Sequence, residues 1–263
     1  IKLISKDFES LSTDELSNEF QKYKKQTKEE ATKNLKYVYA IVYVLFKKIY
    51  NITLHDVQLH GAIALYDGNI AEMRTGEGKT YTSALPTILT ATTAPTHVVT
   101  VNEYLAKRDK EELEPLYTTL GFTVGLNLNE MNVTQKREAY NCDIMYSTAN
   151  ELGFDYLKDN MVPDLAYRVN QHGFNSTLID EVDLVLIDEA RTPLIIGQDS
   201  VSPIAPIMKA HNIVTTLSPE TDLKIDYKTR TVSLTNEGAE KVSKAYNIDR
   251  KSTRLNSSHI TRS

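Results

Sequence analysis

From Ser12 to Lys48 the pattern of apolar and polar positions is helical. Leu35, Val38, Val42, Leu45 and Ile49 recur at spacings of three and four and form one stripe. Ser12 with Glu15, or Thr13 with Asp14, supplies the start signal. The apolar centre at residues 38–46 is too short to cross a bilayer and ends on Lys47 and Lys48, so it is expected to pack in a core. Downstream the rhythm changes. Short apolar runs at 63–71, 97–101, 122–126, 143–147 and 177–180 alternate with helix-like stretches, and each run is read as a strand. Such repetition predicts an α/β fold, a parallel sheet covered by helices. After Gly197 the composition turns to Ser, Pro and small residues through position 206, and a strand-like stretch at 231–234 opens something new. The expected organisation is a first domain over 1–197 and a linker with the start of a second over 198–250. Residues 251–263 lack acidic residues and any period, and are expected to be foreign to the domain.

Composition narrows the function classes. Of 263 residues, 41 % are hydrophobic and 25 % charged, ordinary globular usage that excludes a disordered or membrane-spanning chain. The net charge is −5, and −8 without Lys251, Arg254 and Arg262 of the tail, so the basic field typical of nucleic-acid binders is missing. The single cysteine, Cys142, closes no internal disulfide and suits a reducing compartment, which makes a cytoplasmic protein the default. Neither Cys142 nor the scattered histidines 55, 60, 97, 172 and 211 show the spacing of a metal cage. The start at Ile1 shows no secretory pattern and is read as a fragment boundary.

The sharpest local signal is Met73-Arg-Thr-Gly-Glu-Gly-Lys-Thr80, expected between a strand and the helix-like residues 81–91. Gly76 and Gly78 let main-chain amides approach an anion, Lys79 adds a point charge for the β- and γ-phosphates, and the Thr80 hydroxyl is placed for Mg²⁺. Met73 stands where the usual pattern has Gly or Ala. Such a loop needs a metal-holding carboxylate and a second one to orient water. Two pairs qualify: Asp180 with Glu181, and Asp188 with Glu189. Each follows an apolar run, and spacing alone does not choose between them. In either pair the Asp would bind Mg²⁺ through water and the Glu would act as general base.

Four motifs together resemble the SecA preprotein translocase ATPase family: the glycine loop, Val98-Val-Thr-Val-Asn-Glu-Tyr-Leu-Ala-Lys-Arg-Asp109, Tyr146-Ser-Thr-Ala-Asn-Glu-Leu-Gly-Phe-Asp-Tyr-Leu-Lys-Asp-Asn-Met161, and the run from Asp180 to Gly197. The resemblance spans about residues 5–249. It implies a RecA-like P-loop NTPase domain over 1–197, followed by the start of the preprotein cross-linking domain. It places the metal and base carboxylates at Asp180 and Glu181, the adenine-reading glutamine at Gln58, and the ATP cradle at Gly76, Glu77, Gly78, Lys79 and Thr80. His55, Ile52, Glu103, Ala149 and Leu152 depart from the usual family residues and suggest an accessory paralogue. The resemblance further implies ATP with Mg²⁺ as cofactors, preproteins and a SecY-type membrane channel as partners, and homodimers of the full-length protein. Its expected location is the cytoplasmic face of the cell membrane, held peripherally, with no nucleic acid involved. Turnover by this chain alone is expected to be low, because family members complete their site with a second RecA-like domain. Two other classes share part of the pattern: a nucleic-acid helicase core, with its Asp180-Glu-Val-Asp183 box, and a module that binds nucleotide without hydrolysing it.

Overall fold

The computed structural model describes residues 1–196, 204–229 and 231–246. The chain divides into two compact units, residues 1–195 and 196–263. The tail read as foreign, Gly197, and residues 198–203, 230 and 247–250 of the expected linker and second domain lie outside the described residues.

Ser12 and Glu15 do start the first long helical segment. The Ser12 amide donates to Glu15 Oε2 at 2.7 Å and the Glu15 amide donates to Ser12 Oγ at 3.2 Å, closing a capping box on α2 (Thr13–Phe20), which follows a short α1 (Lys2–Ser5). A second capping box, Thr27 with Glu30, restarts the chain as α3 (Lys28–Tyr50), so the helical stretch is two helices with a break between them. Residues 38–46 of α3 are all buried, which makes this helix the axis of the main core.

After α4 (Asp56–Tyr66) and α5 (Lys79–Ala91) come four parallel strands: β1 (Thr96–Thr100), β2 (Val124–Asn127), β3 (Ile144–Thr148) and β4 (Ser176–Ile179), in spatial order β2-β3-β1-β4. The crossovers are α6 (Glu103–Thr119), α7 (Val133–Tyr140) and α8 (Ala149–Asp159). The period-2 alternation of strands separates the two faces. Ile144 and Tyr146 of β3 join the core built on α3, α5 and α6, while Met145 between them joins a smaller cluster with Ala139, Tyr140 and Val169. Helices on both faces of a parallel sheet are the expected class.

One expectation fails. Residues 63–71 are not a strand: the run is the last turn of α4 and an irregular segment that enters no ladder among the described residues. A short run of Ala, Leu and Ile carries no period that separates strand from buried helix, and here Gln58, Leu59 and Ala62 bury one side of α4. The second apolar run, 184–187, likewise forms no strand but a π-helical turn, Leu184–Asp188.

Buried charge fixes the far end of the sheet. Lys136 of α7 reaches Glu151 Oε2 at 2.8 Å and Asp155 Oδ1 at 2.7 Å on α8, and Asn127, at the end of β2, donates to Asp155 Oδ2 at 2.8 Å. The inward stripe of α8 is therefore carboxylate, Glu151, Asp155 and Asp159, each held by a donor. In the second unit, α9 (Ile204–Val214) precedes the antiparallel hairpin β5 (Leu223–Asp226) and β6 (Thr231–Leu234), followed by α10 (Asn236–Tyr246). Buried Asp222 ties that unit together, accepting from the Ser218 amide and from Lys241 Nζ, each at 2.8 Å.

His97 is the second residue of β1, 2 % exposed, against the rings of Tyr140 and Phe174, and its Nδ1 has no partner among the described residues. Burial holds its pKa below the ordinary histidine value. The unfolded chain then takes up a proton near pH 6.5 that the folded chain refuses, so this contribution to stability is full above that pH and is lost below it. The urea midpoint is expected to fall between pH 7 and pH 5 less steeply in His97→Phe than in the wild type; equal slopes would show that His97 does not titrate against the fold.

Candidate nucleotide site

The loop at residues 74–78 closes on itself before the chain turns helical. The Arg74 amide donates to Glu77 Oε2 at 2.8 Å, and the Glu77 amide donates to the Arg74 carbonyl at 3.2 Å. Gly76 and Gly78 have φ of +87° and +79°, values that cost an L side chain roughly 1–2 kcal/mol. A Cβ at Gly76 would meet nothing within 4 Å, so the loop's outer side is open. A Cβ at Gly78 would collide with the Gln58 side-chain amide.

Gln58 is buried, 5 % exposed, rather than the surface amide its bare sequence context suggests. Its Oε1 accepts from the His55 amide at 2.8 Å and its Nε2 donates to the Glu77 carbonyl at 3.0 Å, so it ties the start of α4 to the glycine loop. A primary amide has two N–H groups and two lone pairs on oxygen; among the described residues one of each stays uncommitted.

Gly78 is the N-cap of α5 and brings no capping side chain, and the first turn holds no acidic residue. The first amides of any helix lack carbonyl partners within it, so this end of α5 is a bare, positively polarised anion cradle. The hydroxyls of Thr82, Ser83, Thr87 and Thr90 all donate to carbonyls of the preceding turn. Thr80 departs from that habit: its hydroxyl makes no hydrogen bond among the described residues, and the side chain is half-exposed beside the loop.

Opposite the cradle is the carboxyl-terminal end of β4. The Asp180 amide donates to the Val99 carbonyl at 2.8 Å, which continues the β1–β4 pairing by one residue, and Asp180 Oδ1 accepts from the Glu181 amide at 3.0 Å. Glu181 then takes φ +49°, the left-handed region that non-glycine residues seldom adopt, and turns the chain off the sheet. The turn brings Glu181 Oε1 to 3.7 Å from Lys79 Nζ. Both side chains are about 40 % exposed, so the pair is worth at most about 1 kcal/mol and is cheaply exchanged for another anion. Lys79, Asp180 and Glu181 share the wall of a cleft of about 830 Å³ that runs along β4 to Ile70 and Tyr66.

The structure therefore brings Gln58 of α4 against the loop and helix start that carry Gly76, Glu77, Gly78, Lys79 and Thr80, with Glu181 facing Lys79 and Asp180 in the same cleft wall. It separates the other acidic pair: Asp188 ends the π-helical turn and Glu189 follows it, both exposed and neither at a strand end. The burial of Gln58 on α4 and of Asp109 on α6 carries no signal in the sequence. No period or spacing announces a buried aspartate on a helix face.

A parallel sheet sandwiched by helices, with a glycine loop opening a helix beside the ends of its strands, defines a RecA-like NTPase domain. A sequence model of the family described as the SecA DEAD-like domain matches residues 1–255, and the chain belongs to that family. Membership brings ATP binding and protein transport as the general setting.

Gly78→Ala is expected to weaken nucleotide binding more than Gly76→Ala, because its new methyl displaces the Gln58 amide from the loop as well as straining φ, while Gly76→Ala weakens binding by no more than the strain of its φ, about tenfold for 1–2 kcal/mol. Calorimetric titration with ADP checks both, and equal losses in the two variants would remove the role given to Gln58.

Proposed function

We propose that this chain is the ATP-binding motor domain of a preprotein translocase, coupling ATP hydrolysis to the export of unfolded proteins across the bacterial cytoplasmic membrane. The observation that carries the proposal is the 3.7 Å approach of Lys79 Nζ to Glu181 Oε1, which joins the phosphate loop to the carboxylates at the end of β4. The amides at residues 76–80 receive the phosphate tail, and Lys79 exchanges Glu181 for phosphate oxygens. Gln58 spends its remaining donor and lone pair on the adenine edge. Glu181, released from Lys79, holds the proton of the attacking water. Mg²⁺, when bound, neutralises charge on the phosphates; the uncommitted Thr80 hydroxyl and, through water, Asp180 are the groups that fit it.

Family membership supports preproteins and a SecY-type channel as partners, with peripheral residence on the cytoplasmic face of the membrane. The accessory-paralogue reading, the homodimer of the full-length protein, and the division into a first nucleotide-binding domain over 1–197 with the start of a preprotein cross-linking domain over 198–250 belong to the same proposal. So does low turnover by the 263-residue chain, since an arginine offered by a second RecA-like domain is worth about 10³–10⁵ in rate.

Two substitutions test the chemistry. Lys79→Ala is expected to lose nucleotide affinity at least tenfold, and Glu181→Gln to bind nucleotide like the wild type while losing about 10²–10⁴ in whatever hydrolysis rate is measurable. Fluorescent-nucleotide titration and single-turnover hydrolysis read the two effects. Wild-type affinity in Lys79→Ala would mean that the loop holds no phosphate.

A further inference from the structure

Thr100, the last residue of β1, is 1 % exposed, and its hydroxyl has no hydrogen-bond partner among the described residues. Thr96 of β1 and Thr148 of β3, on the same face of the sheet, do have partners. Thr96 Oγ1 donates to the Ala94 carbonyl at 3.2 Å, and Thr148 Oγ1 accepts from the Glu151 amide at 3.3 Å and so caps α8. A hydroxyl taken out of water and given no partner destabilises a fold, and valine would fill the same space without that cost. Folding alone gives no reason for a hydroxyl at position 100.

Sheet register shows what stands beside it. Val99 pairs with Ile179 in the parallel β1–β4 ladder, and the Asp180 amide donates to the Val99 carbonyl at 2.8 Å. In a parallel ladder that bond sets Asp180 opposite Thr100, across the strand spacing of about 4.8 Å. Alternation puts the two side chains on one face, because Val98 and Leu178, two residues earlier, both belong to the core built on α3, α5 and α6. Asp180 Oδ1 accepts from the Glu181 amide at 3.0 Å, while Oδ2 takes no hydrogen bond from a described residue. The carboxylate is held at one corner, with an unused hydroxyl as its lateral neighbour.

We propose that Thr100 is a positioning residue for the cation side of the site: its hydroxyl donates to the Asp180 carboxylate when the metal is held, and fixes the plane of that carboxylate. The inference rests on the reading of Asp180 given under Proposed function. Rotation about side-chain bonds of the two residues makes the contact without moving either strand. Thr100 itself touches neither nucleotide nor metal. Carboxylates that hold a metal are in turn hydrogen-bonded, and loss of such an outer partner typically costs about 10–100-fold in metal affinity.

The test pairs two measurements on the 263-residue chain at pH 8. One is the urea midpoint without nucleotide or metal; the other is the Mg²⁺ midpoint read by the fluorescence of a methylanthraniloyl-labelled ADP. Thr100→Val removes the hydroxyl and keeps the shape. It is expected to raise the urea midpoint, because the unpartnered group is gone, and to raise the Mg²⁺ midpoint about tenfold. Thr100→Ser keeps the hydroxyl and loses a buried methyl, so its urea midpoint falls while its Mg²⁺ midpoint stays near the wild-type value. Labelled ADP binds both variants like the wild type in EDTA. A hydroxyl that merely supports β1 would make Thr100→Val less stable than the wild type, and that result overturns the inference. So does weakened binding in EDTA, or a Mg²⁺ midpoint that is unmoved in Thr100→Val or raised equally in both variants. Asp180→Asn separates the two failures: if it raises the Mg²⁺ midpoint while Thr100→Val leaves it unmoved, only the Thr100 role is wrong. If Asp180→Asn leaves the midpoint unmoved, the reading of Asp180 is wrong, and the Thr100 role falls with it.

Discussion

The start of α5 carries amides that no carbonyl of their own helix can satisfy, and the sequence around them keeps that end bare. Gly78 caps the helix without a side chain, no acid enters the first turn, and Gly76 leaves the approach open. A glycine at the cap costs little stability, about a few tenths of a kcal/mol relative to a Ser or Asp cap, so leaving this end bare is cheap. The N-cap side chains of α2, α3, α6, α7 and α8 accept from their own first turns, and at α4 the Gln58 side chain accepts from the His55 amide. Gly78 has no side chain to do so, and it stands where an anion would take the cap's place.

What faces that helix end is fixed by sheet register. Because β4 pairs with β1 through Val99 and Ile179, with Asp180 bonded one step beyond, the carboxylates emerge at a set height above the sheet. A shift of one residue would turn Asp180 to the other face. The left-handed backbone of Glu181 then decides the direction of its side chain, and a residue held in that region is commonly held for a purpose beyond folding. On the far side of the sheet the Lys136, Glu151 and Asp155 network joins α7 to α8, so both flanks of the strand ends are held by buried polar contacts.

Much of this was legible beforehand, for reasons that differ by residue. The runs at 97–101 and 143–147 read as strands because β1 and β3 are buried on both faces and carry adjacent apolar residues, Val98-Val99 and Ile144-Met145-Tyr146, among β-branched threonines. The run at 63–71 looked the same and is a helix with a loop, since hydrophobicity without a period does not choose between them. The two acidic pairs were indistinguishable by spacing and became distinct only once one followed a paired strand and the other a π-helical turn. Gln58 and Asp109 were opaque for a common reason: a buried polar residue is defined by partners distant in sequence or by the solvent it loses. For Gln58 that partner is the Glu77 carbonyl, 19 residues away.

The account stands on one claim, that the start of α5 and the end of β4 form the two sides of a single phosphate-binding site. Hydrogen exchange of the chain with and without ADP and Mg²⁺ measures it most directly. Slowed exchange confined to residues 76–82 and 179–183 is the predicted result; protection centred on residues 188–192, or none at the start of α5, would contradict it.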